Sequence, residues 1–124
     1  MELAPYFKSL VDQDREPIVI CDTAHTIVYM NPAARKRYEK RGGAALIGRS
    51  LLGCHNAASS AAIGRVLEWF GQSAEHNVVF TYRNEKEDAD VYMVALRGGD
   101  GTLIGYYEKR ESRRHDTGAY YAME

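Results

Sequence analysis

The most chemically loaded stretch of this sequence is Cys54-His55-Asn56, three polar or reactive side chains in a row. A neutral imidazole at His55 can hydrogen-bond a ligand, or offer a nitrogen lone pair to a metal or a haem iron. A thiol at Cys54, just ahead of a helix, feels the partial positive charge of that helix N-terminus, which lowers thiol pKa. Asn56 has the side chain of a good N-cap. A plainer reading stands beside these: Cys54 packs as a small buried hydrophobe and His55 sits at the helix start. One Cys–His pair does not make a closed zinc site, which needs four ligands at suitable spacing. His25, His76 and His115 are scattered, and the chain has no nucleophile elbow, phosphate loop or HExxH. The chemistry expected is binding rather than catalysis, and no enzyme activity is expected.

A second group is the tyrosines, 9 of them against 3 Phe and 1 Trp. Tyrosine packs well yet keeps a polar handle, which suits pocket walls and interfaces. Tyr29, Tyr82, Tyr92, Tyr106 and Tyr107 all fall in segments that read as strands. Alternation sends Tyr106 and Tyr107 to opposite sheet faces. Met93, central in its strand, offers a soft, adaptable wall. Ordinary core packing is the alternative for each. Arg35, Lys36, Arg37, Lys40 and Arg41 form a basic cluster relieved only by Glu39, read as a solvated helix face or as a surface for an anionic partner.

The elements that must position these residues follow from periodicity. Leu3, Tyr6, Phe7, Leu10 and Val11 fall on one face of a helix, with Pro5 tolerated in its first turn. Glu16-Pro17 ends it, since the residue before proline avoids the helical region. Residues 17–22 and 26–31 read as strands joined in a hairpin by Asp22-Thr23-Ala24-His25. Asn31-Pro32 then opens a helix as N-cap and first residue, running through Tyr38 and stopping at Gly42-Gly43. Residues 44–56 read as one or two single-turn helices with loops. Residues 57–72 read as a longer helix with Ile63, Val66, Leu67 and Phe70 on its apolar face. Gly64 inside that helix costs up to about 1 kcal/mol against alanine, which suggests close packing there. Three strands follow at 77–83, 90–97 and 102–109. In the first, Val79 and Thr81 share one face, and Val78, Phe80 and Tyr82 the other. The outcome is an α+β domain with helices covering one sheet face.

Composition narrows the function. Lys+Arg is 16 and Asp+Glu 17, for a net charge of −1 over 124 residues, without the basic excess of a nucleic-acid binder. No apolar run approaches the roughly 20 residues of a membrane helix, and the N-terminus lacks a signal-peptide pattern. The 2 cysteines, Cys21 and Cys54, form no CxxC, so a reduced, cytoplasmic setting is expected, without a structural disulfide. The apolar face of the first helix needs a partner, either its own sheet or a second copy of the chain.

From Glu16 to Lys109 the sequence resembles a PAS domain. The carriers are PIVICDTAHTIVYMN, NPAARKRY, LIGRSLLGC and AAIGRVLEWF, followed by three closing strands. Asp22 matches the acidic residue that opens the family's first turn, Asn31 and Ala33 its first helix start, and Gly48 the glycine of its xIGxxL stretch. His25 stands where the family usually has glycine, a position His can occupy at positive φ at some cost. The resemblance implies a five-stranded antiparallel sheet in the order 2-1-5-4-3, with short helices enclosing a cavity on one face. It divides the chain into an N-terminal helix (1–15), a PAS domain (16–110) and a C-terminal tail (111–124). It implies a sensor of a small molecule held between the sheet and the Leu46–Ala58 region. The residues then expected at the ligand are His55, Cys54, Asn56, Tyr29, Tyr82, Met93 and Tyr107. A homodimer or an effector protein would relay the signal, with no nucleic acid and no membrane involved. The alternatives are a ligand-free interaction or dimerisation module, and a haem-based redox or gas sensor using His55. Flavin is not expected. The family's photosensors carry Asn-Cys-Arg-Phe-Leu before the helix, and Gly53-Cys54-His55-Asn56 shares only the cysteine. The family's Asp-Ile-Thr exit motif is replaced by Glu111-Ser-Arg-Arg-His-Asp116. The short flanks leave no room for an effector domain, so a free-standing sensor or an excised fragment is expected.

Overall fold

The first helix forms where the spacing of apolar residues places it. In the computed structural model, which describes residues 1–123 apart from the Cys54 side chain, α1 spans Ala4–Asp12 with Pro5 in its first turn. β1 (Val19–Asp22), β2 (Ile27–Met30) and α2 (Pro32–Arg37) follow. Three 3-10 turns come next, at Glu39–Arg41, Gly43–Leu46 and Leu51–Cys54. The chain then forms α3 (Ala57–Gln72), β3 (Val78–Asn84), β4 (Ala89–Arg97) and β5 (Leu103–Ser112). The strands make one antiparallel sheet in the order β2-β1-β5-β4-β3, as the resemblance implies. β5 runs past its expected end to Ser112. Residues 113–123 hold no helix or strand, and Glu124, the last residue of the expected tail, lies outside the described residues.

Two side chains account for much of the first half. The carboxylate of Asp22 accepts from the Ala24 and Thr26 backbone N–H groups, both at 2.9 Å. This turn forces His25 to φ 67°, and the His25 ring in turn meets the Tyr106 hydroxyl at 2.9 Å. Asn31 is wholly buried. Its Oδ1 accepts from Ala34 as the α2 N-cap and also from Ile18, both at 2.9 Å. Its Nδ2 donates to the Val11 and Glu16 carbonyls at 3.0 Å. One amide thereby ties α1, β1 and α2 together and leaves none of its own groups orphaned.

The second half departs from simple alternation. Val79 pairs with Met93, yet Tyr82 pairs with Val91, because a bulge falls between Phe80 and Tyr82. The extra residue turns Tyr82 onto the face of Val79, opposite to the expectation from strict alternation. Thr81, at the bulge, anchors it by donating its hydroxyl to the Val91 carbonyl at 3.0 Å. Gly64 also departs from expectation: a Cβ there would meet open space, so close packing is not its reason. Gly105 is the glycine that packing requires, since a Cβ there would collide with the Cys21 carbonyl oxygen on β1.

The core lies between the inner sheet face and the helices. Cys21, Ile27, Met30, Ala34, Leu46, Phe70, Met93 and Tyr106 are its buried members. Cys21 is a free thiol that burial pushes up to about 11, which makes it an inert packing group. Arg97 on β4 locks α3 in place. Its guanidinium donates to the carbonyls of Phe70 (2.8 Å), Ser73 (3.0 Å) and His76 (3.0 Å), and to Asn77 Oδ1 (2.7 Å). The otherwise open edge of β2 is also used. Ile27 exchanges backbone hydrogen bonds with Arg49 and Gly48, and Leu51 N–H donates to His25 O at 2.8 Å. That pairing draws the Gly48–Leu51 segment over the end of the sheet and sets the position of the third 3-10 turn.

Candidate functional site

The sheet and the short helices enclose a cavity of about 160 Å³. Its floor is built from Val19, Ile27, Met30, Met93, Tyr106 and Glu108, and its cover from Tyr38, Arg41, Leu46, Leu51, His55 and Ile63. An apolar cavity of about 150 Å³ is large enough to hold benzene, so this one accepts a molecule of that order. A larger trough of about 600 Å³ lies between α3 and β3, bordered by Arg65, Trp69 and Phe80. It is an open surface groove without converging polar groups, and the enclosed cavity is the better site despite its smaller volume.

The polar atoms of the cavity come from several elements. His55 follows the third 3-10 turn, and its Nδ1 lies 2.9 Å from the Leu51 carbonyl. A carbonyl can only accept, so Nδ1 carries the proton, and neutral His55 keeps a lone pair on Nε2. Tyr106 is a cavity residue whose hydroxyl already meets His25. Burial, followed by the neighbouring Cys21, raises its pKa well above the phenol range. Glu108 stands beside Met93 in the register of β4 and β5. Its exposed surface is a wall of the cavity, where protein atoms crowd the carboxylate even though solvent can reach it. That crowding raises its pKa by desolvation, against the opposing pull of His55 and Arg37. Glu108 has no hydrogen-bond or ion-pair partner among the described residues.

The structure distributes the described residues expected at the ligand over four places. His55 and Met93 line the cavity. Asn56 does not: it is exposed and caps α3, its Oδ1 accepting from Ser59 N–H at 2.8 Å. Tyr29 and Tyr107 lie on the outer sheet face, both in register with Ile20. The hydroxyl of Tyr29 donates to Asp12 at the end of α1, and its ring faces the Lys8 ammonium. Tyr82 shares the inner face but lies beyond the cavity, where burial and then Glu108 raise its pKa. Cys54, also expected at the ligand, has its side chain outside the described residues. Tyr38, Arg41, Tyr106 and Glu108 were not among the expected site residues. Alternation from Tyr106 carries the signal for Glu108, two residues on and on the same face. The basic cluster divides: Arg35 donates to the Met30 carbonyl at 2.9 Å, Arg37 pairs with Glu87 at 3.2 Å, and Arg41 lines the cavity. Among the described residues no three His, Cys, Asp or Glu side chains group to hold a metal, and no helix is long and apolar enough to cross a membrane.

A five-stranded antiparallel sheet in this order, with short helices enclosing a cavity on one face, is the architecture of a known family of sensory modules. The sequence profile of the PAS fold family (PAS_4) matches residues 11–109. The chain belongs to that family, whose members are sensory signal-transduction modules, generally non-catalytic, and often bind ligands and dimerise. Among solved structures it is similar to a C-terminal domain from Streptococcus mutans, at TM-score 0.65 and 18% identity over 86% of this chain and 81% of that one. It is similar to the PAS domain of a protein from Colwellia psychrerythraea, at TM-score 0.63 and 13% identity over 90% and 97% of the two chains. It is also similar to the Aer2 receptor from Vibrio cholerae, described as a dual PAS-heme oxygen sensor, at TM-score 0.55 and 18% identity over 76% and 90%. At these identities the likeness is one of fold. No curated protein sequence matches the chain.

Proposed function

We propose that this chain is a sensing module that binds a small organic molecule, of roughly benzene size, between its sheet and its short helices. The observation that carries the reading is the cavity itself. It is apolar over most of its wall, partly enclosed, and furnished with the polar groups of Tyr38, Arg41, His55, Tyr106 and Glu108. Binding in such a cavity shifts the equilibrium between arrangements of the covering segments and of the sheet. The output surface is the outer sheet face and α1. Leu3, Tyr6, Phe7 and Leu10 on α1 are all more than half exposed, as are Phe80 and Ile104 on strands β3 and β5. A second copy of the chain in a reduced, cytoplasmic setting is the partner these faces suit.

Native mass spectrometry of protein purified from its own cells tests the reading. The expected result is a small-molecule adduct that disappears on denaturation and is missing from Ile63→Trp protein, in which the indole fills the cavity. An apoprotein mass alone would favour a ligand-free interaction module, and an adduct unaffected by Ile63→Trp would place the ligand outside this cavity and overturn the reading.

A haem sensor is the second reading, favoured by one observation: the Nε2 lone pair of His55, at the cavity wall, suits an axial ligand. The cavity as built does not fit the group. A volume suited to benzene is far below that of a porphyrin, and reconstitution with haem is expected to yield no Soret band of a ligated complex.

A further inference from the structure

We propose that the ligand of this cavity carries a basic nitrogen, held as an ammonium against the carboxylate of Glu108. The inference rests on the small-molecule reading above and names the class of ligand within it.

The first argument is an anomaly of pairing. The acids around this end of the sheet are matched. Glu87 meets Arg37 and Arg110, Asp90 meets Arg83 and Arg113, and Glu111 meets Lys109 and Arg113. Glu108, on the same strand as Arg110, has no such partner among the described residues. It also stands on the inner face beside Met93, crowded by protein atoms although solvent reaches it. A carboxylate crowded on an apolar wall without a paired cation costs free energy that an apolar residue would avoid. A cation arriving with the ligand removes that cost.

The second argument is the complement of acceptors. The neutral His55 ring offers an Nε2 lone pair, because the Leu51 carbonyl places its one proton on Nδ1. The hydroxyl of Tyr106 has acceptor capacity beyond its bond to His25. An ammonium has three N–H donors and no acceptor, and a site rich in acceptors serves it better than it serves a carboxylate.

The cation that lines the cavity, Arg41, does not reverse this. It belongs to an exposed 3-10 turn, where a hydrated guanidinium gains little from an anion. Solvent reaches Glu108 too, but its carboxylate stands among protein atoms on the cavity floor. A ligand seated there displaces that water, so a charge-assisted hydrogen bond made at Glu108 counts for more. The raised pKa of Glu108 agrees with a carboxylate still lacking its counter-charge.

The test uses three probes of similar size at neutral pH: benzylamine (a cation), toluene (neutral) and benzoate (an anion). Each is titrated into the purified protein and followed by ligand-observed NMR. Benzylamine is expected to bind about tenfold or more tighter than toluene, the gain of one charge-assisted hydrogen bond, and benzoate weakest. In Glu108→Gln protein the advantage of benzylamine over toluene is expected to vanish. Toluene or benzoate binding as well as benzylamine, or an amine preference that survives Glu108→Gln, overturns the inference and leaves the small-molecule reading intact. Failure of all three to bind overturns both. Should Glu108→Gln not fold, the ranking of the three probes on the unaltered protein decides the matter.

Discussion

Glu108 makes a prediction about stability as well as binding. Crowding by the cavity wall raises its folded-state pKa above the ordinary carboxylate value. A group shifted that way lends stability in full below its unfolded pKa, and that stability is lost as pH rises through the raised folded value. The contribution of Glu108 to the stability of the ligand-free protein is therefore expected to fall as pH climbs from the carboxylate range toward neutrality. Glu108→Gln protein should escape this and be the more stable at neutral pH, with the gap closing in acid. Urea unfolding at a series of pH values checks it, and a gap that is flat across pH would count against the assignment. At this scale the sequence was partly legible. His55 and Met93 were visible as chemistry or as strand position. Alternation from Tyr106 gave the face of Glu108 but not its role, because a single charged residue in an alternating strand looks like any solvated one until the covering helices are in place.

At the scale of elements, the fold hangs on side chains that satisfy the ends of helices. Arg97 reaches three carbonyls around the C-terminus of α3, groups that a helix cannot pair internally. Removing it orphans them and frees α3 from β4. Arg97→Ala is expected to cost about 3 kcal/mol, the scale of losing charge-assisted hydrogen bonds at a half-buried site. Arg97→Lys should recover only part of this, since an ammonium cannot reproduce the planar fork. Chemical denaturation measures both, and a lysine variant as stable as the wild type would sink the idea. The helix starts, by contrast, were readable beforehand. Asn31 and Asn56 precede their helices at the cap position, and both serve there. The bulge in β3 was not readable, because Thr81 is an ordinary strand residue until the register of β4 demands an extra one opposite Val91.

For the whole molecule, the unresolved demand is the apolar face of α1. Among the described residues the helix is tethered toward its C-terminal end, through Lys8 and Asp12 to Tyr29 and through the Val11 carbonyl to Asn31. Its buried residues number none, so the sheet of its own chain does not cover it. If a second copy does, Phe7→Glu with Leu10→Glu leaves the PAS core intact and shifts the protein to monomer. Analytical ultracentrifugation of both proteins checks this, with circular dichroism to show that the fold survives. A wild-type protein that sediments as a monomer at every concentration would remove α1 as a self-association surface.

The order of elements, the caps, the glycine-like turn at His25 and the family were all determined by local sequence. Each depends on interactions within a few residues, where spacing and side-chain type suffice. The division of the tyrosines into a cavity wall and an outer face was only half determined. Alternation separated Tyr106 from Tyr107, but it could not say which face the helices would cover, nor that a bulge would turn Tyr82 inward. The cavity itself, and the unpaired carboxylate within it, belong to tertiary structure alone. They exist because the Gly48–Leu51 segment pairs with the open edge of β2 and carries His55 over the strand that bears Glu108. That juxtaposition joins residues about fifty positions apart, beyond the reach of any local pattern. The Cys-His-Asn triplet that stood out first thus resolves, in its described side chains, into one cap and one cavity histidine.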